Sequence, residues 1–305
     1  MTSLKPMTTA AQLPTFIGIG ALKAATTWLS DQLMAHPDIY LPPIQETHFF
    51  GYPYPEHAFT HYETFFKEAR PGQLIGEFSS DYLDTPEVPA RIKKHLPETR
   101  LILMLRDPVD LVQSNYWHLL RQNFKCRDTS QPDLATALQR HEALLIQPAR
   151  LGFHLSKWLE HFPLDQFILV WHEDIRSDSS AVVKRLYREL GVDPDFTPAT
   201  QTAARGGVSP RGGWSGRTYS WLYQMAVVRG LGPLSRRWNY ATPLAIVQKL
   251  KLRQMAERVF FKKGYPTPDP QLLADLRSRF DQDINLLEEL TGRDLSKWKS
   301  THTPV

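Results

Sequence analysis

Phe16-Ile-Gly-Ile-Gly-Ala-Leu-Lys-Ala-Ala-Thr-Thr-Trp-Leu29 is the stretch whose reading decides the fold. Its apolar opening, Phe16 to Ile19, reads as a buried strand. Gly18 and Gly20 permit a tight turn, Lys23 sits inside that turn, and Trp28-Leu29 begins a helical pattern that Pro37 stops near His36. A strand, a small-residue turn with a lysine, and a helix start bearing Thr26 and Thr27 together form an anion cradle. The unpaired N–H groups and positive dipole end of the helix converge on one spot. It is not a Walker loop, because Ala24-Ala25 follows Lys23 where that motif needs Ser or Thr.

Outward from that stretch, strands alternate with helices. Asp38 to Leu41 is a short extended piece, and His61 to Lys67 a short helix. Gln73 to Phe78 reads as a strand with Glu77 at its carboxyl end, and Pro86 to His95 as a helix. Leu101 to Leu105, apolar throughout, is the clearest central strand, with Arg106 at its end. Asp107-Pro108 then starts a helix reaching Arg121. Helices over Asp133–Gln147 and Leu151–His161 follow, then a strand over Phe167–Trp171 carrying His172-Glu173-Asp174, and a helix over Ser180–Leu190 closed by Gly191. Gln271 to Leu290 reads as one final amphipathic helix. This order implies an α/β fold, a central parallel sheet with helices on both faces. Ligands of such sheets bind beyond the strands' carboxyl ends, so one crevice is expected to gather Lys23, Glu77, Arg106 and Glu173.

The 305 residues suit one large α/β domain or two small ones. A net charge of +4 favours anionic small molecules or an acidic polymer and is too small to indicate nucleic acid. Cys126 is the only cysteine, which excludes an intrachain disulfide and a cysteine-based zinc site. Met1 to Leu13 lacks the apolar core of a secretory signal, and no stretch reaches the length of a membrane span. A cytoplasmic location is the expectation. Residues 1–13 and 300–305 read as tails around a single domain over 14–299. Within it, 194–217 is a Gly/Arg-rich loop and 218–264 a helical insertion. Arg205, Arg211 and Arg217 make that loop either a solvated connection or a lid over an anion. Leu244 to Lys263 reads as a basic helix, either a solvated face or a peripheral membrane contact.

Lys23, Thr26 and Thr27 on one turn, with Arg106 and, eight residues on, Ser114, make a two-part pattern. Each part suits one anion, as a nucleotide phosphorylated at both 5′ and 3′ positions requires. Here the chain resembles the sulfotransferases that use 3′-phosphoadenosine 5′-phosphosulfate (PAPS). Gly20 to Leu29 resembles the family's 5′-phosphosulfate loop, and Leu105-Arg-Asp-Pro-Val-Asp-Leu-Val-Gln-Ser114 its 3′-phosphate motif. Gln45-Glu-Thr-His-Phe-Phe50 is similar to a segment of the glycan-modifying, heparan-type branch. Trp158-Leu159, Phe167 to Trp171 and Glu173-Asp174 resemble the family's middle, and Thr291-Gly-Arg-Asp-Leu-Ser-Lys-Trp298 the tail of its bacterial members.

The resemblance implies a three-layer, P-loop-like sulfotransferase fold, with PAPS as co-substrate, PAP as product and no metal. It implies that Lys23 stabilises the departing phosphate. Ala24, Ala25, Thr26 and Thr27 would hold the 5′ end, Trp28 would pack on adenine, and Arg106 and Ser114 would bind the 3′-phosphate. Glu46 becomes the candidate general base, with His48 its rival, and Arg205 and Arg211 a donor lid. The acceptor would be a carbohydrate or other small metabolite, lined by Phe49, Phe50, Tyr52, Tyr54 and Trp117 if those aromatics face the cleft. Three departures weigh against a heparan-like acceptor: Ala24-Ala25 in the loop, Gln45 before Glu46, and Phe78 after Glu77. A kinase with a degenerate phosphate loop and a non-catalytic membrane-surface protein are the other readings.

Overall fold

The computed structural model of the protein describes residues 13–44, 46–121, 130, 132–198, 208–210, 218, 259, 261–266 and 268–300. The chain divides into two compact units. One comprises Met1–Pro108, Pro148–Arg205 and Arg279–Val305, and the other Val109–Gln147 and Gly206–Ser278.

The first unit is built on a five-stranded parallel sheet. Its strands are β1 (Phe16–Gly20), β2 (Ile39–Tyr40), β3 (Leu74–Phe78), β4 (Arg100–Leu105) and β5 (Phe167–Trp171), in the order β2-β3-β1-β4-β5. Every residue of β1 is buried, as is all of β4 after Arg100. That is why these strands read as continuous apolar runs and not as alternating ones. Helices α1 (Thr26–Met34), α2 (Phe59–Glu63) and α3 (Val88–His95) lie between the early strands in sequence.

Two glycines set the distance between β1 and β3. In register, Phe16 faces Gly76 and Gly18 faces Phe78. A Cβ on Gly76 would fall 2.1 Å from the Phe16 ring, and one on Gly18 would fall 2.0 Å from the Phe78 ring. Each aromatic side chain therefore occupies the space its neighbour's glycine leaves empty. Phe78 is thereby locked in place at the carboxyl end of β3.

In the second unit, α4 (Pro108–Arg121) has proline at its first position, following Asp107 as expected. Asn115 donates to the Leu144 carbonyl at 2.8 Å, and the Tyr116 hydroxyl to that of Pro132 at 3.0 Å. These bonds tie α4 to the segment that carries α5 (Leu134–Arg140) and α6 (Glu142–Leu145). The single helix expected over Asp133–Gln147 is interrupted at His141, whose φ of −130° breaks the helical run. Asp133 is the N-cap, accepting from Thr136 N at 2.8 Å.

The remaining helices are α7 (Leu151–Leu159), α8 (His172–Leu190), α9 (Pro270–Ser278) and α10 (Asp281–Thr291). α8 starts eight residues earlier than expected. His172-Glu173-Asp174 forms its first turn, and Asp178 kinks it with φ −151° while accepting from Ala181 N. The single final helix expected over Gln271–Leu290 is two helices, because the run ends at Ser278 and restarts at Asp281 after the buried Phe280. Asp283 of α10 accepts from Gly152 N and Phe153 N, satisfying two donors at the start of α7. The basic helix expected over Leu244–Lys263 does not reach its last three residues. Phe261–Lys263 is a strand paired antiparallel with Val208–Pro210; of the rest of that expected helix only Val259 is among the described residues, and it is helical. Among the described residues no helix is long and apolar enough to cross a membrane.

The aromatic-on-glycine packing yields a stability expectation. Gly76→Ala should cost about 1–3 kcal/mol in urea denaturation, because the Phe16 ring must leave its seat. An unchanged midpoint would show that the ring has room to move.

Candidate active site

The turn between β1 and α1 is built from left-handed residues. Lys23 has φ 69° and Ala25 φ 76°, both unusual for side chains with a Cβ. At Ala25 the conformation costs about 1–2 kcal/mol relative to glycine. Strain of this kind persists where the surroundings impose it. Ala25 is the N-cap of α1 and offers no side-chain acceptor to the first-turn amides. Left-handed residues in such a turn aim successive N–H groups to one side, which makes a concave anion site. Thr26 and Thr27 add hydroxyls in the first turn of α1. The Arg106 guanidinium, at the end of β4, donates to the Lys23 carbonyl at 3.1 Å. The two cations that the sequence places 83 residues apart are therefore held on one turn. Backbone amides, two hydroxyls, an ammonium and a guanidinium are the donor set a phosphate or sulfate group needs.

Thr26, Thr27 and Ser30 also line a cavity of about 300 Å³, with Ile44, Glu46, His48 and Phe78 completing its wall. Glu46 and His48 stand on the loop after β2, and an extensive set of bonds fixes that loop. Ser80 donates to Glu46 Oε1 at 2.5 Å. His48 Nε2 lies 3.3 Å from Glu46 Oε2, and its Nδ1 lies 2.9 Å from Asp81. His48 is itself left-handed, with φ 51°, and its amide donates to Ser79 Oγ at 3.1 Å. The hydrogen bond that His48 Nδ1 donates to the Asp81 carboxylate raises the His48 pKa above its ordinary value. The charges of Asp81, Glu46 and Glu77 add to that, while burial opposes it. Two carboxylates on the two ring nitrogens favour the protonated imidazole, which holds His48 between Glu46 and Asp81.

Glu77 does not belong to the crevice where it was expected. It is 1% exposed. Thr47, Tyr62 and Tyr82 donate to it, at 3.0 Å for Tyr62 and 3.2 Å for Tyr82. Burial raises its pKa to about 7 against the opposing effect of these bonds. Glu77 is a structural carboxyl behind the loop, and Thr47 connects it to Glu46 and His48 on either side. Glu173 is not a crevice group either. It accepts from Trp298 Nε1 at 3.1 Å, while Asp174 pairs with Arg293 through two bonds of 2.6 and 2.8 Å.

The other expected site residues among those described do not line this cavity. Trp28, 7% exposed, is a core residue and is not on the cavity wall. Phe49 and Phe50 are buried in an aromatic cluster with Tyr54, Phe59 and Tyr62, so they do not line a cleft. His95 belongs to that cluster, bonded to Tyr54 at 2.8 Å and stacked on Phe59. Ser114 is buried, and its Oγ lies 3.4 Å from the Tyr265 hydroxyl. The Tyr265 ring stacks on Trp117, with centroids 5.8 Å apart. Arg205 and Arg211 lie outside the described residues. Ser80, Asp81 and Tyr265 were not anticipated. The Ser79-Ser80-Asp81 run after a buried strand was the one available signal, since short polar side chains at a strand's carboxyl end face the ligand side of a parallel sheet.

A profile of the Sulfotransferase family matches residues 84–198. The chain is 30% identical over 248 residues to human heparan sulfate glucosamine 3-O-sulfotransferase 6, covering 75% of this chain and 70% of that protein. It is 33% identical over 187 residues to mouse heparan sulfate glucosamine 3-O-sulfotransferase 3B1, covering 59% of this chain and 47% of that one. It thus spans about half the length of several of the curated relatives it matches. Among solved structures, a sulfotransferase from Alicyclobacillus acidocaldarius superposes with a TM-score of 0.66 at 23% identity, over 94% of this chain and 99% of that one.

The elevated Glu77 pKa has a measurable consequence. Between about pH 4.5 and 7 the folded state holds a proton that the unfolded chain releases, so stability falls as pH rises through that window. Glu77→Gln should remove this fall, worth up to about 3 kcal/mol. Urea denaturation of both proteins at pH 5 and 7.5 measures it, and equal slopes would place the titration elsewhere.

Proposed function

The chain belongs to the sulfotransferase family, and we propose that it transfers a sulfuryl group from PAPS to a carbohydrate hydroxyl, releasing PAP. The observation that carries this reading is that one cavity wall holds both the first-turn hydroxyls of α1 and the Glu46 carboxylate. PAPS, when bound, supplies an activated sulfuryl group on a leaving phosphate. The protein's part is positioning and electrostatics, as in related group transfers.

Lys23 and the turn amide at Ala25 neutralise charge at the 5′ end, where negative charge grows as the bond to sulfur breaks, while the Ala24 amide is taken by the Ala21 carbonyl at 3.1 Å and Ala24 shapes the turn from within. Thr26 and Thr27 orient that end. Arg106 and Ser114 are assigned to the 3′-phosphate, and Arg205 and Arg211 to a cover over the donor. Trp28 supports the turn from the core and leaves adenine to other residues. Glu46 takes the proton of the acceptor hydroxyl. His48, held between Glu46 and Asp81, fixes the carboxylate's direction and balances the local negative charge. Residues 14–299 act as a single transferase domain in this reading. The single cysteine suits a reducing, cytoplasmic compartment.

Two variants test the assignment. Glu46→Gln should keep PAP affinity, measured by calorimetry, while labelled-donor turnover falls by at least ~10². Undiminished turnover would remove Glu46 from the base role. Arg106→Ala should weaken PAP binding by at least ~10-fold through loss of a charge-assisted contact. If ATP with magnesium raised the melting temperature and PAP did not, the protein would be a kinase instead.

A further inference from the structure

We infer that Ser79-Ser80-Asp81, the run that follows β3, is the positioning element of the transfer: it holds Glu46 and His48 at a fixed place relative to the turn between β1 and α1. The inference rests on the transferase reading above.

Three consecutive side chains of this run reach the Glu46–His48 loop, each at a different group. Ser79 Oγ accepts from His48 N at 3.1 Å, and Ser80 Oγ donates to Glu46 Oε1 at 2.5 Å. Both carboxylate oxygens of Asp81 lie 2.9 Å from His48 Nδ1. The other ring nitrogen, Nε2, lies 3.3 Å from Glu46 Oε2. One oxygen of the Glu46 carboxylate is thus held by the run directly, and the other through His48. Ser79, Ser80 and Asp81 do not line the cavity themselves, so they act on its wall from outside.

The same run is anchored to the strand that leads into the turn. Ser79 N donates to the Gly18 carbonyl and Leu83 N to that of Ile19, each at 2.9 Å. A Cβ on Gly20 would fall 2.9 Å from the Ser80 carbonyl oxygen, so the two backbones approach closely where β1 ends. One short brace therefore sets the separation between the turn and the Glu46 carboxylate. Such a separation is critical to a transfer, since a misplacement of about 1 Å can cost ~10² in rate.

Ser79 and Ser80 are buried. Asp81 and His48 are about half exposed, and ion pairs that open add little to stability. What Asp81 supplies is direction and charge. Among the described residues, the charged groups that face His48 are Asp81 after β3, Glu46 on its own loop and Glu77 at the end of β3. The bond to Asp81 is the largest of the influences that raise the His48 pKa, so the proton between His48 and Glu46 persists to higher pH than an unaided histidine would hold it.

Ser80→Ala and Asp81→Asn test this. Both should keep the PAP affinity of the wild type, measured by calorimetry. In Ser80→Ala, kcat for labelled PAPS with a glucosamine oligosaccharide should fall at least ~10-fold. Asparagine at 81 keeps an acceptor for His48 Nδ1 but removes the charge. The His48 titration, followed by NMR, should then move down toward the ordinary 6.5, and the alkaline limb of kcat/KM should move down with it, at an unchanged urea midpoint. An unmoved His48 titration in Asp81→Asn, an unchanged kcat in Ser80→Ala, or a kcat that falls only in step with PAP affinity would overturn the inference. A wild type that neither binds PAP nor turns over would strike the transferase reading beneath it.

Discussion

The buried carboxyl of Glu77 is the point on which the Glu46–His48 loop depends. It sits at the end of β3, out of solvent, and gathers three hydroxyls from three separate segments. Removing such a group from water is costly unless every lone pair is used. Here the donors are Tyr62 from α2, Tyr82 from the chain after β3, and Thr47 from the Glu46–His48 loop. Thr47 also caps Phe49 N, and Tyr82 accepts from Phe50 N, so the loop's backbone is bonded from the same centre. Arg91 closes it from the other side by donating to the carbonyls of Phe50 and Gly51. Without those constraints, a histidine in a left-handed conformation next to a glutamate would have little reason to stay there.

The turn between β1 and α1 solves a different problem by a related means. Its turn has no side-chain cap and no glycine at Ala25, so it is less stable than a turn of that shape can be. Ala24 is fully buried beside it, and the Arg106 guanidinium takes up the Lys23 carbonyl. Within the turn the Ala24 amide donates to the Ala21 carbonyl at 3.1 Å, and the Ala21 amide to that of Met104 at 2.9 Å, so the strained conformation is held by its own backbone and by β4.

The centre of the sheet was legible in the sequence because burial on both faces writes itself as apolar runs, and β1, β4 and β5 lie where such runs occur, while β2 and β3 lie within the shorter pieces Asp38–Leu41 and Gln73–Phe78. The phosphate-type turn was legible for the same reason, since its strand, its lysine and its hydroxyls are consecutive. Local reading failed where a distant partner decides the outcome. Glu77 looks like Glu46 in sequence, a carboxylate beside a polar run, and only Tyr62 and Tyr82 reveal it as structural. Phe49 and Phe50 look like cleft aromatics until α2 and His95 pack against them. The helix after Pro270 reads as continuous, yet Phe280 is consumed by the core and the run breaks there. Asp81 was invisible as a partner because its role exists only through His48, which is 33 residues away.

The carboxyl end of β5 shows the same rule from the opposite direction. Glu173-Asp174 and the tail from Thr291 to Trp298 are over a hundred residues apart, and each alone reads as a generic polar segment. Together they form a clasp. Arg293 grips Asp174 through both of its terminal nitrogens while its guanidinium lies 4.5 Å over the Trp171 ring, and Trp298 donates to Glu173. A planar guanidinium bonded at its edge and stacked on its face is hard to replace by lysine, which offers neither geometry. Two acidic residues that lie beyond a strand's carboxyl end, where ligands usually bind, are thereby held by the protein's own tail. Their charge is spent on the fold, and the neighbouring strand end at Arg106 is left as the electropositive one.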